Sequence, residues 1–120
     1  MKLVFSSTGQ DLDANLDQRF GRCSYFVSYD TDSKEINSVN NSQNLNAAQG
    51  AGIQAATTVA DSGADYALCG HCGPKAFRVL QAANIKVICG VKGKLSDILK
   101  EFEAGNLKES SSADVEGHWM

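Results

Sequence analysis

Two thiols, an imidazole and an ammonium fall within seven residues at Cys69-Gly70-His71-Cys72-Gly73-Pro74-Lys75. Sulfur and imidazole are ligands for soft and borderline metals, and a thiol pair is also a redox couple. The run before them, Tyr66-Ala67-Leu68, reads as a short core strand, and Ala76, Val79, Leu80 and Ala83 follow at helical spacing. Pro74 suits the first helical turn, where its missing N–H costs nothing. A strand-to-helix junction of this kind turns free N–H groups outward at the positive end of a helix dipole, which favours anions. The stretch therefore predicts a metal, a metal–sulfur cluster or a redox couple.

Positioning these groups falls to a chain of 120 residues with 42% apolar and 21% charged residues, ordinary for one globular domain. The net charge of −3 gives no general attraction to nucleic acid. No apolar run reaches membrane-span length and no signal-peptide pattern opens the chain, so the expected compartment is the cytoplasm. Four cysteines there are expected as reduced thiols or ligands rather than disulfides.

Strands are predicted at Leu3-Val4-Phe5, Tyr25–Tyr29, Glu35–Asn40, Asp65–Cys69 and Ile85–Cys89. A polar stretch over 9–24 and an Asn/Ser/Gln loop over 40–46 separate the early ones. Ala48, Gly52, Ala55 and Val59 share one face of a helix ending near Gly63, in which Gly50 and Gly52 would each cost about 1 kcal/mol. Further helices are predicted over 74–83, with Asn84 as a left-handed cap, and through Leu95, Ile98, Leu99 and Phe102. The order βββαβαβα implies an α/β fold of ribonuclease-H-like type. Its five-stranded mixed sheet has order 3-2-1-4-5, strand 2 antiparallel and helices on both faces. The domain is expected over 1–105 and a flexible tail over 106–120.

This topology puts the ends of strands 1, 3, 4 and 5 on one edge, where open sheets bind ligands. The edge collects Ser6–Gly9, Arg19–Cys23, Cys69–Cys72 and Cys89-Gly90, and it predicts thiols facing one cavity about 10 Å wide. Arg19, Arg22, Lys75, Lys92 and Lys94 would ring it with positive charge. Two other chemistries compete. Structural zinc needs two ligands beyond one Cys-x-x-Cys knuckle, which Cys23 and Cys89 could supply. A thiol–disulfide oxidoreductase could use Cys69 and Cys72, although Pro74 is the chain's one proline and follows the motif directly. Buried cysteine is also a plain core residue, the simplest account of Cys69 and Cys89 taken singly. Asp11, Asp13 and Asp17 lack the glycine and distant glutamate of a calcium loop and read as a solvated turn.

Arg19-Phe20-Gly21-Arg22-Cys23-Ser24-Tyr25-Phe26 resembles a signature block of the dinitrogenase iron–molybdenum cofactor biosynthesis family, which includes NifX and the C-terminal part of NifB. Gly50–Ala56 and Gly70–Phe77 are similar to its other two blocks, and the likeness spans about residues 1–104. The one-domain form is most similar in type to the orange-protein branch of sulfate reducers. The resemblance implies a non-catalytic carrier or assembly protein for a molybdenum-containing metal–sulfur cluster, with Mo–Cu–S ahead of Fe–Mo–S. It also implies a protein acceptor, with a nucleotide-dependent ATPase as one candidate. The candidate cluster-binding residues are Arg19, Phe20, Gly21, Arg22, Gly70, His71, Gly73, Pro74 and Lys75; the candidate metal ligands are Cys23, Cys69, Cys72 and Cys89. Arg19 stands where the family often has histidine, and a guanidinium hydrogen-bonds an anion but does not ligate a metal. The expected site thus holds an anion first and ligates metal second.

Overall fold

A computed structural model describes residues 1–41 and 50–110. The strands are β1 (Lys2–Ser7), β2 (Tyr25–Asp30), β3 (Ile36–Asn40), β4 (Tyr66–Leu68) and β5 (Lys86–Ile88), and the helices are α1 (Ala51–Asp61), α2 (Pro74–Ala82) and α3 (Leu95–Glu103). They form one sheet of order β3-β2-β1-β4-β5. β2 runs antiparallel to β1 and β3, and β4 runs parallel to β1 and β5. Order and directions are those expected of the ribonuclease-H-like arrangement.

Strand alternation sends side chains to two cores. Val4, Phe26, Ala67 and Val87 meet α1 and α2 through Ala55, Ala56, Val59, Phe77 and Leu80. Leu3, Phe5, Val27, Leu68 and Ile88 meet α3 through Leu95, Ile98 and Leu99. Helices therefore cover both faces, with two on one side and one on the other. Gly50 does not weaken α1, because it precedes the helix as a cap residue at φ 80°, a conformation glycine adopts without steric cost. Asn84 has the expected positive φ, 62°. Ala48, expected on the α1 face, lies outside the described residues, as does the tail from 111 onward.

Two segments organise the ends of the sheet. The stretch after β1 is a strap across its C-terminal edge. Leu16 N–H donates to Gly93 O at 2.8 Å, Asp17 N–H to Ser6 O at 2.9 Å, and His71 N–H to Gln18 O at 2.7 Å. The strap starts on the α3 side, where Leu16 is buried, and finishes on the other side with Phe20 and Cys23 in the α1/α2 core. At the far edge, Ser110 N–H donates to Val87 O and Ser110 Oγ accepts from Cys89 N–H. In the described part of the expected tail, 106–110, Leu107 packs against the α3 core and Ser110 is bonded to the end of β5.

Candidate functional site

The strap and the starts of α1 and α2 enclose a cavity of about 530 Å³. Phe20 and Gly21 form its strap wall, Gly50, Gly52 and Ile53 its α1 wall, and Gly73, Pro74, Lys75 and Ala76 its α2 wall. These walls approach closely because their contact points lack side chains. A Cβ on Gly21 would stand 2.9 Å from the backbone N and Cα of Gly52, and one on Gly52 would stand 3.4 Å from Ala76 Cβ. Phe20 is buried and holds the strap down by stacking at an angle on Phe26, 5.2 Å between ring centres.

The electrostatics of the cavity follow from its helix ends. The first N–H groups of any helix have no intrahelical partner. Among the described residues no side chain caps α1 or α2, and neither has an acidic residue in its first turn. Among the described lining residues, Lys75 is the one ionisable side chain. α3 is treated differently. Its Leu95 and Ser96 N–H groups donate to Ala14 O and Leu12 O of the strap, and Asp97 lies in its first turn. The third helix start is therefore closed, and the two at the cavity are left for an anion.

Of the residues singled out by sequence, Phe20, Gly21, Gly73, Pro74 and Lys75 meet at this cavity. Arg22, half-buried, follows directly on Gly21. Arg19 is 61% exposed and turned to Asp17, whose Oδ1 accepts from Arg19 N at 3.0 Å and Nε at 3.4 Å. This corrects the solvated-turn reading of the acidic trio: Asp17 is buried and organises the strap, while Asp11 and Asp13 are exposed. Gly70 packs on Gln18, whose Cα would lie 2.8 Å from a Cβ there. His71 joins the strap through its backbone, accepting from Phe20 N–H at 3.2 Å. Lys92 lines a shallow depression on the α3 side with Asp97 and Glu101 rather than the cavity.

Among the described residues no thiol lines the cavity. Cys23, Cys69 and Cys72 are fully buried in the α1/α2 core and Cys89 is half-buried beside it. Small and apolar, a thiol fills the narrow space under closely packed helices, which is why the shared rim of thiols became a shared core. Burial pushes the Cys23 thiol up to about 12, although backbone and Asn41 hydrogen bonds oppose the shift. Cys69 is also raised, first by its hydrogen bond with Cys72, then by that with Cys89 and by burial. A catalytic dithiol needs the opposite, a lowered pKa and an exposed sulfur. Among the described residues, no three His, Cys, Asp or Glu side chains are grouped to hold a metal ion, so the four ligands of structural zinc are not assembled.

Gly50, Gly52 and Ile53 were missed as site residues. Their signal was present, because two glycines open a helix in one of the three resembling blocks.

Residues 1–105 match the family described as dinitrogenase iron–molybdenum cofactor. The chain belongs to that family. The apo form of the orange protein from Desulfovibrio gigas is 35% identical, with TM-score 0.92 over 95% of this chain and 96% of that one. A Thermotoga protein described as NifB is 30% identical, with TM-score 0.82 over 97% of this chain and 98% of that one. No curated protein matches the chain. Family and fold together support a metal-cluster carrier in general terms. No helix among the described residues is long and apolar enough to cross a membrane.

Proposed function

We propose that the protein is a non-catalytic carrier or assembly factor for an anionic molybdenum-containing metal–sulfur cluster. The cargo is a molybdenum–copper sulfide in preference to an iron–molybdenum sulfide. The observation that carries this reading is the meeting of two uncapped helix starts and Lys75 at one cavity whose described lining has no carboxylate. The N–H groups of α1 and α2 receive the cluster's sulfide edges, and Lys75 balances its charge. Arg22 adds charge from the adjoining strap, and Phe20 limits water access. Arg19, Gly70 and His71 hold the strap wall in place. Membership of the family favours carriage over catalysis; the choice of copper over iron rests on the resemblance to the orange-protein branch alone.

The thiols have a smaller place in the same reading: among the described residues none lines the cavity, and none is needed to hold the anion. The cluster passes intact to a protein acceptor, for which a nucleotide-dependent ATPase is the candidate class. The cytoplasm, where thiols stay reduced, is the fitting compartment.

Reconstitution tests the proposal. Protein mixed with thiomolybdate and copper, or with thiomolybdate and iron, is passed through a sizing column. Coelution of a visible charge-transfer band with stoichiometric molybdenum and copper is expected, together with loss of both in Lys75→Glu. A colourless, metal-free protein peak sinks the reading; a band with iron but not copper overturns the choice of metal.

A further inference from the structure

Cys69 and Cys89 immediately follow the paired ends of two parallel strands, where Leu68 is in register with Ile88. Because side chains alternate, Leu68 and Ile88 enter the α3 core, and the two cysteines turn together to the other face. Their Sγ atoms stand 4.0 Å apart. Backbone bonds bracket the pair: Cys69 N–H donates to Ile88 O at 3.0 Å and Gly90 N–H to Gly70 O at 2.9 Å. Ser110 Oγ holds the Cys89 N–H at 3.0 Å from the outer side. Two sulfurs are thus presented by a fixed backbone, with Cys72 within hydrogen-bonding reach of Cys69. Cys69 is wholly buried, while half-buried Cys89, next to exposed Gly90, gives the pair its opening to solvent.

We propose that Cys69 and Cys89 form a two-sulfur site for a single soft monovalent metal ion, of the Cu(I) class, separate from the cavity between α1 and α2. A metal–sulfur bond is about 2.3 Å, so sulfurs 4.0 Å apart can share one ion between them without backbone movement. Binding forms two metal–sulfur bonds and releases the two thiol protons to solvent, with no change of oxidation state. The class of metal follows from the donors. Thiolates select soft ions, and although Cys72 reaches Cys69, no three ligands are grouped to hold one ion among the described residues. Zinc, which needs four ligands, is poorly served. Cys23 belongs to a different neighbourhood, its sulfur set against Asn41 at 3.6 Å. The site stands independently of the cluster reading, because its ion is bound by sulfur alone and needs no molybdenum.

The test uses the full chain, reduced and free of oxygen, with Cu(I) alone as the probe against a chromogenic Cu(I) chelator. Wild type and Cys23→Ser are expected to retain one Cu(I) per chain with equal affinity. Cys89→Ser and Cys89→Ala are expected to bind more than about 100-fold more weakly, beyond the range for losing an outer-shell partner. X-ray absorption on the copper-loaded wild type should show sulfur as the sole nearest neighbour, a result that stands even if a variant folds poorly. Nitrogen or oxygen ligands, unchanged affinity in both Cys89 variants, or an equal loss in Cys23→Ser would each overturn the proposal. So would displacement of the copper by equimolar Zn(II).

Discussion

The two faces of the sheet are built to different rules. On the α3 face, large apolar side chains fill the space: Leu3, Phe5, Leu68, Ile88, Leu95, Ile98 and Leu99. On the α1/α2 face the packing residues are small, with Ala55, Ala56, Ala67, Ala76 and the thiols beside fewer large ones. Large side chains hold a helix away from its neighbours, whereas Gly21, Gly52 and Ala76 let three backbones nearly touch. The helix starts differ to match. The strap closes the α3 start with its own carbonyls, and the α1 and α2 starts open on the cavity. One face is packed for stability, and the other gives up packing volume for a cavity.

The contrast is breakable by substitution. Leu95→Ala empties a fully buried position on the α3 face and should cost about 2–5 kcal/mol by denaturant unfolding. The protein that remains folded should keep its cluster retention unchanged; loss of retention at equal folded fraction would show that the faces are not independent. Gly21→Val drives a side chain into Gly52 and should cost about 1–3 kcal/mol. It should also abolish cluster retention, read as coeluting molybdenum.

Alkaline titration probes the α1/α2 face, which carries the buried thiols. Cys23 has an unfolded value of 9.0 and a folded value of about 12. Below 9 both states hold the proton and stability is unaffected. Above it the unfolded chain loses the proton first, so stability falls at up to about 1.4 kcal/mol per pH unit as pH rises toward 12. Cys69 adds in the same direction. Cys23→Ala should flatten this limb in urea melts taken across that range. A limb of unchanged steepness would remove the thiol from its cause.

The smallest effects carry opposite signs. Ile53→Asp places a carboxylate in the first turn of α1, imitating the arrangement at α3, and should stabilise the fold by about 0.3–1 kcal/mol. The same change should lower cluster retention at least tenfold, since the helix end would already have its anion. Asp97→Ala should destabilise by about 0.3–1 kcal/mol and leave retention alone. Equal retention in both variants would mean that the open helix starts do not hold the cargo.

Much of this was legible in the sequence, and the reason is local. Tyr25–Asp30 is rich in β-favouring residues, and Leu95, Ile98, Leu99 and Phe102 repeat at helical spacing, so element type could be read from neighbours alone. The sheet order followed from short right-handed connections. The strap was not legible. Its course is fixed by backbone bonds such as Leu16 to Gly93 and Gln18 to His71, which no side-chain pattern announces. The burial of Asp17 went with it, although its bonds to Arg19, two residues on, are local. The thiols were expected on one rim facing the cavity, but depth is a tertiary property, and the sequence gives no sign that Cys23, Cys69 and Cys72 are wholly buried in the core.

The strap's anchors have a further consequence for when the cavity comes into being. Gln18 Nε2 donates to Val91 O at 3.3 Å, and Leu16 N–H reaches Gly93 O, so the segment bearing Phe20 and Gly21 is tied to residues made far later in synthesis. Contacts of such long sequence separation bear the largest loop-closure entropy and form only when the intervening chain is in place. A nascent chain that has emerged only as far as α2 already carries both open helix starts and the His71 bonds to the strap, but it lacks the anchors at Val91 and Gly93. The third wall gains its full set of anchors only when β5 and the turn after it have been made.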